Sequence, residues 1–237
     1  MKEYFLPTFI FKKKWVWFSE PRDVKDADMV TFFSYTDVAG GGFSKKEGMT
    51  SVIDLTIGEA AIWRGMRERF IRQQIQKGQR NNIQIQDSQD FDAFSRIYTS
   101  FREGKRIPHD NQSLFRDHGL LLLASRHNEV LAGGVFIYDD MNMRAWALAS
   151  LRFSDDGSKR ELVGQANRMI IWQAIRIACA RKIRRFDLGG LGSAEDRSNL
   201  TEFKEAFGGV RVRNYYYTKV YSPTLSALLW VRDMLKI

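Results

Sequence analysis

From residue 50 onward the apolar positions recur with two alternating periods, and those periods predict the elements. Residues 51–55 read as a short strand. Thr56 and Glu59 stand three apart, the spacing of a capping box, and open a helix with Ile62, Met66 and Phe70 on one face. Arg64, Arg67, Arg69, Arg72 and Lys77 occupy the rest of that helix, and Gly78 supports its stop. Residues 82–86 alternate as a strand, and Phe91, Phe94, Tyr98 and Phe101 recur at helical spacing. Three antiparallel strands are predicted over 120–125, 130–138 and 144–151, joined by turns at 127–129 and 139–142. A polar loop at 154–159 opens a long apolar helix over 161–180. Residues 184–188 form a buried strand ending in Gly189-Gly190, and a short helix over 200–207 stops at Gly208. An alternating strand then runs to Tyr221, and Ser222 and Pro223 cap a last helix.

Strand, helix, strand, helix, three strands, long helix, strand, short helix, strand describes an α/β domain. Its sheet is mixed and mostly antiparallel, with helices on both faces. We expect that domain to cover residues 50–237. Residues 1–49 read as an aromatic and basic extension packed on it, with Phe5, Phe9, Phe11, Trp15, Trp17 and Phe18 set among lysines. The alternative is that this segment is a surface for a partner or a lipid face. Gly40, Gly41 and Gly42 lack the Gly-Lys-Ser/Thr ending of a phosphate loop and read as a flexible connection.

Composition narrows the partners. The 44% of hydrophobic residues supports a sizeable core, while a net charge of +9 favours an anionic partner: RNA, a nucleotide-linked sugar, a phosphorylated lipid or an acidic bilayer face. A basic protein without such a partner is the competing reading. No stretch has the ~18 consecutive apolar residues of a membrane span. The first apolar run precedes its lysines, unlike a signal peptide, so a cytoplasmic protein is expected, with peripheral contact at the inner membrane face as an alternative. The single cysteine, Cys179, suits a reducing compartment and reads as a small buried hydrophobe. His109, His118 and His127 show no metal-ligand spacing, and no Gly-x-Ser-x-Gly elbow supports a hydrolase.

The run Phe186-Asp187-Leu188-Gly189-Gly190, followed by Glu202-Phe203-Lys204-Glu205-Ala206-Phe207-Gly208-Gly209, resembles a signature of the Fem-type (FemAB-like) aminoacyltransferases. Asp54-Leu55 with the basic helix containing Arg69 to Gly78, and the stretch from Asn167 to Trp172, add to the likeness, which spans residues 50–221. The resemblance implies an acetyltransferase-like (GNAT) fold and transfer of an acyl or aminoacyl group to an amine. Well-known members have two such domains, whereas this chain has room for one. A single-domain relative implies an envelope acceptor: an amino sugar, or a peptidoglycan or surface-polysaccharide intermediate, anionic or lipid-linked. The donor is acyl-CoA (acetyl-CoA) or aminoacyl-tRNA, with no metal.

By the same resemblance Phe203 and Lys204 lie at the reaction centre, Lys204 stabilising the oxyanion; a solvated helix lysine is the competing reading. Asp187, at a strand end where α/β sheets place ligand crevices, either handles the acceptor amine or bonds the Gly189-Gly190 turn. Those two glycines contact substrate or serve the turn alone. Coenzyme-A-using members of the fold carry a Gln/Arg-x-x-Gly-x-Gly/Ala stretch. Arg160, Gly164 and Gln165 are its nearest counterparts, with Glu161 in the position the arginine should hold. On the last strand Arg211, Arg213, Tyr215, Tyr217, Lys219 and Tyr221 share a face that binds phosphates and sugars or is simply solvated. The final helix, with Leu225, Leu228, Leu229, Trp230 and Val231, docks on its own domain or lies on a membrane. Two further readings stay open: an aminoacyl-tRNA-dependent peptidyl transferase, and a catalytically silent scaffold of the same fold.

Overall fold

A computed structural model describes residues 1–8, 10–39, 41–106, 110–151, 156–192 and 199–235. In chain order its strands are β1 (Lys2–Leu6), β2 (Lys13–Trp17), β3 (Met29–Ser34), β4 (Ser44–Asp54), β5 (Gln84–Ser88), β6 (Leu120–Arg126), β7 (Glu129–Tyr138), β8 (Asn142–Ser150), β9 (Arg185–Leu191) and β10 (Val210–Val220). The helices are α1 (Glu59–Gly65), α2 (Gln73–Arg80), α3 (Phe91–Lys105), α4 (Ser113–His118), α5 (Gly157–Ala180), α6 (Asn199–Glu205) and α7 (Pro223–Leu235). The chain forms two compact units, one of Met1–Thr50, Gly190–Asp196 and Arg211–Ile237, the other of Ser51–Gly189 and Arg197–Val210.

The larger unit carries the expected mixed α/β sheet. β5, β6, β7 and β8 pair antiparallel in sequence order, and β9 joins β8 in parallel. Because strand side chains alternate, Leu120, Leu122 and Ala124 face one side while Leu121 and Leu123 face the other. The first set joins a core with Ile170, Ile171, Ala174 and Ile175 of α5 and Ile75 of α2. The second packs against Phe91, Phe94 and Tyr98 of α3 and Phe115 of α4. Helices therefore cover both faces, which is why β6 runs Leu-Leu-Leu-Leu-Ala without polar alternation.

Several local expectations are corrected. The capping box at Thr56 and Glu59 is absent. Asp54 instead accepts the Thr56 N–H and hydroxyl and caps a 3-10 turn over Leu55–Ile57, while Gly58, at φ 85°, precedes α1. A carboxylate two residues upstream wins because Gly58 breaks the helical geometry a box requires. The single helix expected after it is two: Met66 and Arg67 turn extended, a π-helical turn covers Glu68–Arg72, and α2 follows. The break frees the Arg67 N–H to bond the Ala206 carbonyl at 2.9 Å, docking the segment onto the end of α6. Helix α4 was not anticipated, and β5 lies two residues later than expected. Gly40, His109 and the start of the polar loop, Ser154 and Asp155, lie outside the described residues.

Residues 1–49, read from the sequence as an extension, supply β1, β2, β3 and most of the first half of β4 to the smaller unit. β1 pairs antiparallel with β2, β2 parallel with β3, and β3 antiparallel with β10. Val16, Val30, Phe32, Tyr215 and Tyr217 form its core. A second group of rings, Trp15, Trp17, Phe33 and Tyr216, packs edge to face or tilted with centroids 5.3–6.2 Å apart.

Candidate active site

The parallel pairing of β8 with β9 runs for three rungs, Asn142–Arg185, Met143–Phe186 and Arg144–Asp187. Among the described residues the ladder between β8 and β9 ends at Arg144. Just past that rung β8 carries a bulge: Val135 of β7 faces Ala147 and Phe136 faces Ala145, so two residues of β8 answer one step at Trp146. A bulge beside interrupted pairing re-aims backbone groups, a device recurrent next to catalytic centres.

At the last rung lies a buried charge pair. Asp187 is 0% exposed, and Arg144 is buried beside it. The Arg144 Nη1 donates to one carboxylate oxygen of Asp187, and the Gly189 N–H donates to the other at 2.7 Å. Asp187 thus holds the turn that follows it, as one of the two sequence readings has it. Gly189 sits at φ 91°, a conformation that strains any residue with a Cβ. A Cβ there would stand 3.6 Å from the Lys204 Nζ and 3.4 Å from the Ala145 carbonyl oxygen, so glycine keeps that space open.

Lys204 reaches this point from α6. It is 7% exposed, and its pKa is pushed down to about 8, first by burial and then by the Arg144 guanidinium, with Asp187 acting against both. A lysine of this kind exchanges charge near neutral pH.

The short helix that carries it is pinned from two sides. Arg67 donates to Glu202 at 3.0 Å besides bonding Ala206. Arg168 of α5 stacks over Phe203 and Phe70, 5.2 and 4.9 Å from their centroids, and donates to the Phe70 and Gly164 carbonyls. Gly208, at φ 86°, ends the helical turn, and Gly209 passes where a Cβ would meet the Ser51 Oγ at 2.1 Å.

The structure therefore brings together Lys204, Asp187 and Gly189, places Phe203 half-buried beside them on α6, and adds Arg144. That arginine was missed, although a lone charge within the apolar run of β8 is a legible signal. Other candidates lie apart. Arg160, Gly164 and Gln165 do not form a loop before a helix, because α5 already begins at Gly157 and their N–H groups are within it. Gln165 is 1% exposed and locked, accepting from Asn81 at 2.9 Å and donating to Glu161. The α5 N-terminus is itself filled by the Asp156 carboxylate, which accepts from the Ser158 and Lys159 N–H groups.

Tyr215 and Tyr217 are core residues, 5% and 2% exposed, because their side chains face the smaller unit's interior rather than solvent. The Tyr217 hydroxyl accepts the Val38 N–H at 2.7 Å. Arg211 is half-buried on β10. Gly190 and Arg213 border a cleft of about 540 Å³ in the smaller unit with Lys46, Glu47, Asn214 and Tyr216. Among the described residues no cluster of three His, Cys, Asp or Glu could hold a metal, and no helix is long and apolar enough to cross a membrane.

No protein-family model and no curated protein sequence matches the chain. Among solved structures it is similar to FemX, at 11% identity over 94% of this chain and 84% of that one, with a TM-score of 0.65. It is also similar to the C-terminal domain of a protein assigned as a lysylphosphatidylglycerol synthetase from Agrobacterium fabrum, at 12% identity over 87% and 72%, with a TM-score of 0.54. A conserved Bacteroides thetaiotaomicron protein of unknown function matches at 8% identity over 81% and 69%, with a TM-score of 0.53. At these identities the likeness is one of fold, and it is the fold expected from the sequence.

Proposed function

We propose that this protein is an N-acyltransferase that moves an acyl or aminoacyl group from an activated donor to an amino group of a cell-envelope precursor. The observation that carries this reading is the Lys204 Nζ held beside Gly189, at the rung where β8 and β9 stop pairing. A backbone opening with a buried cation at its mouth suits a carbonyl that must become an oxyanion. The likeness to FemX, and to a domain of a protein assigned as a lysylphosphatidylglycerol synthetase, supports the envelope as the setting.

The acceptor nitrogen attacks the donor carbonyl carbon, forming a C–N bond and moving the π pair onto oxygen. The Lys204 ammonium stands ready for that charge, in surroundings where a donor contributes ~3 kcal/mol or more to the transition state. Collapse breaks the C–S or C–O bond of the donor, and the proton shed by the nitrogen ends on the departing sulfur or oxygen. Arg144 and Asp187 touch neither reactant in this scheme; they fix the Gly189 turn and the charge state of Lys204.

Of the two donors, aminoacyl-tRNA is favoured over acyl-CoA. The N–H groups at the start of α5 already serve the Asp156 carboxylate, whose charge opposes a pyrophosphate. The test is transfer from acetyl-CoA and from aminoacyl-tRNA to amino-sugar and peptide amine acceptors, read by product mass. Transfer from charged tRNA, lowered ~10²–10³-fold in Lys204→Met with an unchanged melting temperature, is the expected result. Transfer from acetyl-CoA alone would reverse the donor assignment. Full activity in the variant would remove Lys204 from the mechanism.

A further inference from the structure

Helix α7 leaves most of its apolar surface bare. Leu225 is buried, 3% exposed, yet Leu228, Trp230, Val231, Met234 and Leu235 are 45–66% exposed. At ~100° per residue these five, with Ala227, cover roughly 160° of the helix circumference, interrupted by Thr224 in the first turn. An exposed apolar stripe of this width is uncommon on a protein that meets only water.

The chain beside the start of α7 carries Lys12 and Lys13 together with Asp28. The Asp28 carbonyl accepts the N–H groups of Tyr221 and Ser222, while the Asp28 N–H donates to the Lys12 carbonyl at 2.8 Å. The Asp28 carboxylate in turn accepts the Lys12 N–H at 2.8 Å. One residue thus ties the entrance of α7 to the turn that bears Lys12 and Lys13. Ile10, at the start of that turn, is 81% exposed, and Arg232 is exposed on the helix itself.

We propose that α7 and the turn at residues 10–13 form a docking surface for an anionic lipid bilayer. The apolar stripe enters the headgroup boundary, and the lysines meet the phosphates. Tryptophan at the stripe suits that boundary, where one edge is apolar and the other wet. Charge decides between a bilayer and a second copy of the chain. At a net charge of +9 two copies repel, whereas an acidic membrane attracts. The inference is independent of the transfer reaction.

The test is co-sedimentation of the full chain with phosphatidylcholine vesicles, with and without phosphatidylglycerol, at low and high salt. Binding confined to the anionic vesicles, weakened by salt and about tenfold by Lys12→Glu with Lys13→Glu, is expected. Leu228→Ser with Val231→Ser and Met234→Ser should abolish it with an unchanged melting temperature. Should that variant fail to fold, the emission shift of the wild type on vesicle addition, lost in Trp230→Phe, serves instead. Absence of vesicle binding, or equal binding by the serine variant, overturns the proposal. So does a dimer in light scattering that the serine variant dissolves while neither protein binds vesicles.

Discussion

Lys204 and Arg144 illustrate how two buried cations settle their charges. Arg144 has its carboxylate, Asp187; Lys204 has burial and a neighbouring guanidinium against it, and yields. With its pKa lowered to about 8 it is mostly protonated at neutral pH and loses its charge as pH rises through that value. If the cation serves the oxyanion, kcat/KM should fall as pH passes about 8; a rate that climbs there instead would make Lys204 the proton acceptor. Arg144→Gln removes a positive neighbour and leaves the charge of Asp187 to act on Lys204 alone, both of which favour the lysine cation. The limb should therefore move to higher pH. The same change takes the guanidinium from a buried carboxylate, for which ~3–5 kcal/mol of lost stability is expected in denaturant melts. Gly189→Ala tests the turn alone. With a φ of 91° it should cost ~1–2 kcal/mol and depress turnover, since the new methyl stands 3.6 Å from the lysine nitrogen.

Among the elements, β7 packs closely on both of its faces. Its adjacent glycines face opposite sides: a Cβ on Gly133 would come within 2.6 Å of the Phe94 ring on α3, and one on Gly134 within 2.9 Å of Ile170 on α5. Gly133→Ala and Gly134→Ala should each destabilise by ~1–3 kcal/mol through overpacking, and the pair should be nearly additive because they strain different cores. Melting curves of the singles and the double check both statements. Strands such as β6 to β8 and the helix α5 were legible because their apolar runs and turn residues are local. The break between α1 and α2 was not, because the Ala206 carbonyl that takes the Arg67 N–H lies far along the chain. Tyr215 and Tyr217 misled for a related reason. Period two identifies a shared face, but which face is buried depends on β3, whose pairing with β10 no local pattern announces. Of the candidate site, Asp187, Gly189 and Lys204 were legible through a motif. Arg144 joins them only once β8 is set against β9.

On the scale of the whole molecule the first fifty residues and the last strand depend on one another. Val16, Val30 and Phe32 complete a core whose other members, Tyr215 and Tyr217, come from β10. The pairing of Tyr215 with Ser34 through Val220 with Met29 supplies the backbone partners on that side of β10. Removing residues 1–45 therefore does more than strip a docking segment. It uncovers two tyrosines that are now 5% and 2% exposed and opens a row of unpaired N–H and C=O groups. An unprotected edge flanked by bare aromatics pairs with other chains, so the truncated protein should elute as large aggregates in size-exclusion chromatography. A monodisperse truncated chain with full-length secondary structure would show that β10 stands without β3, and the smaller unit would then owe its stability to something other than this shared core.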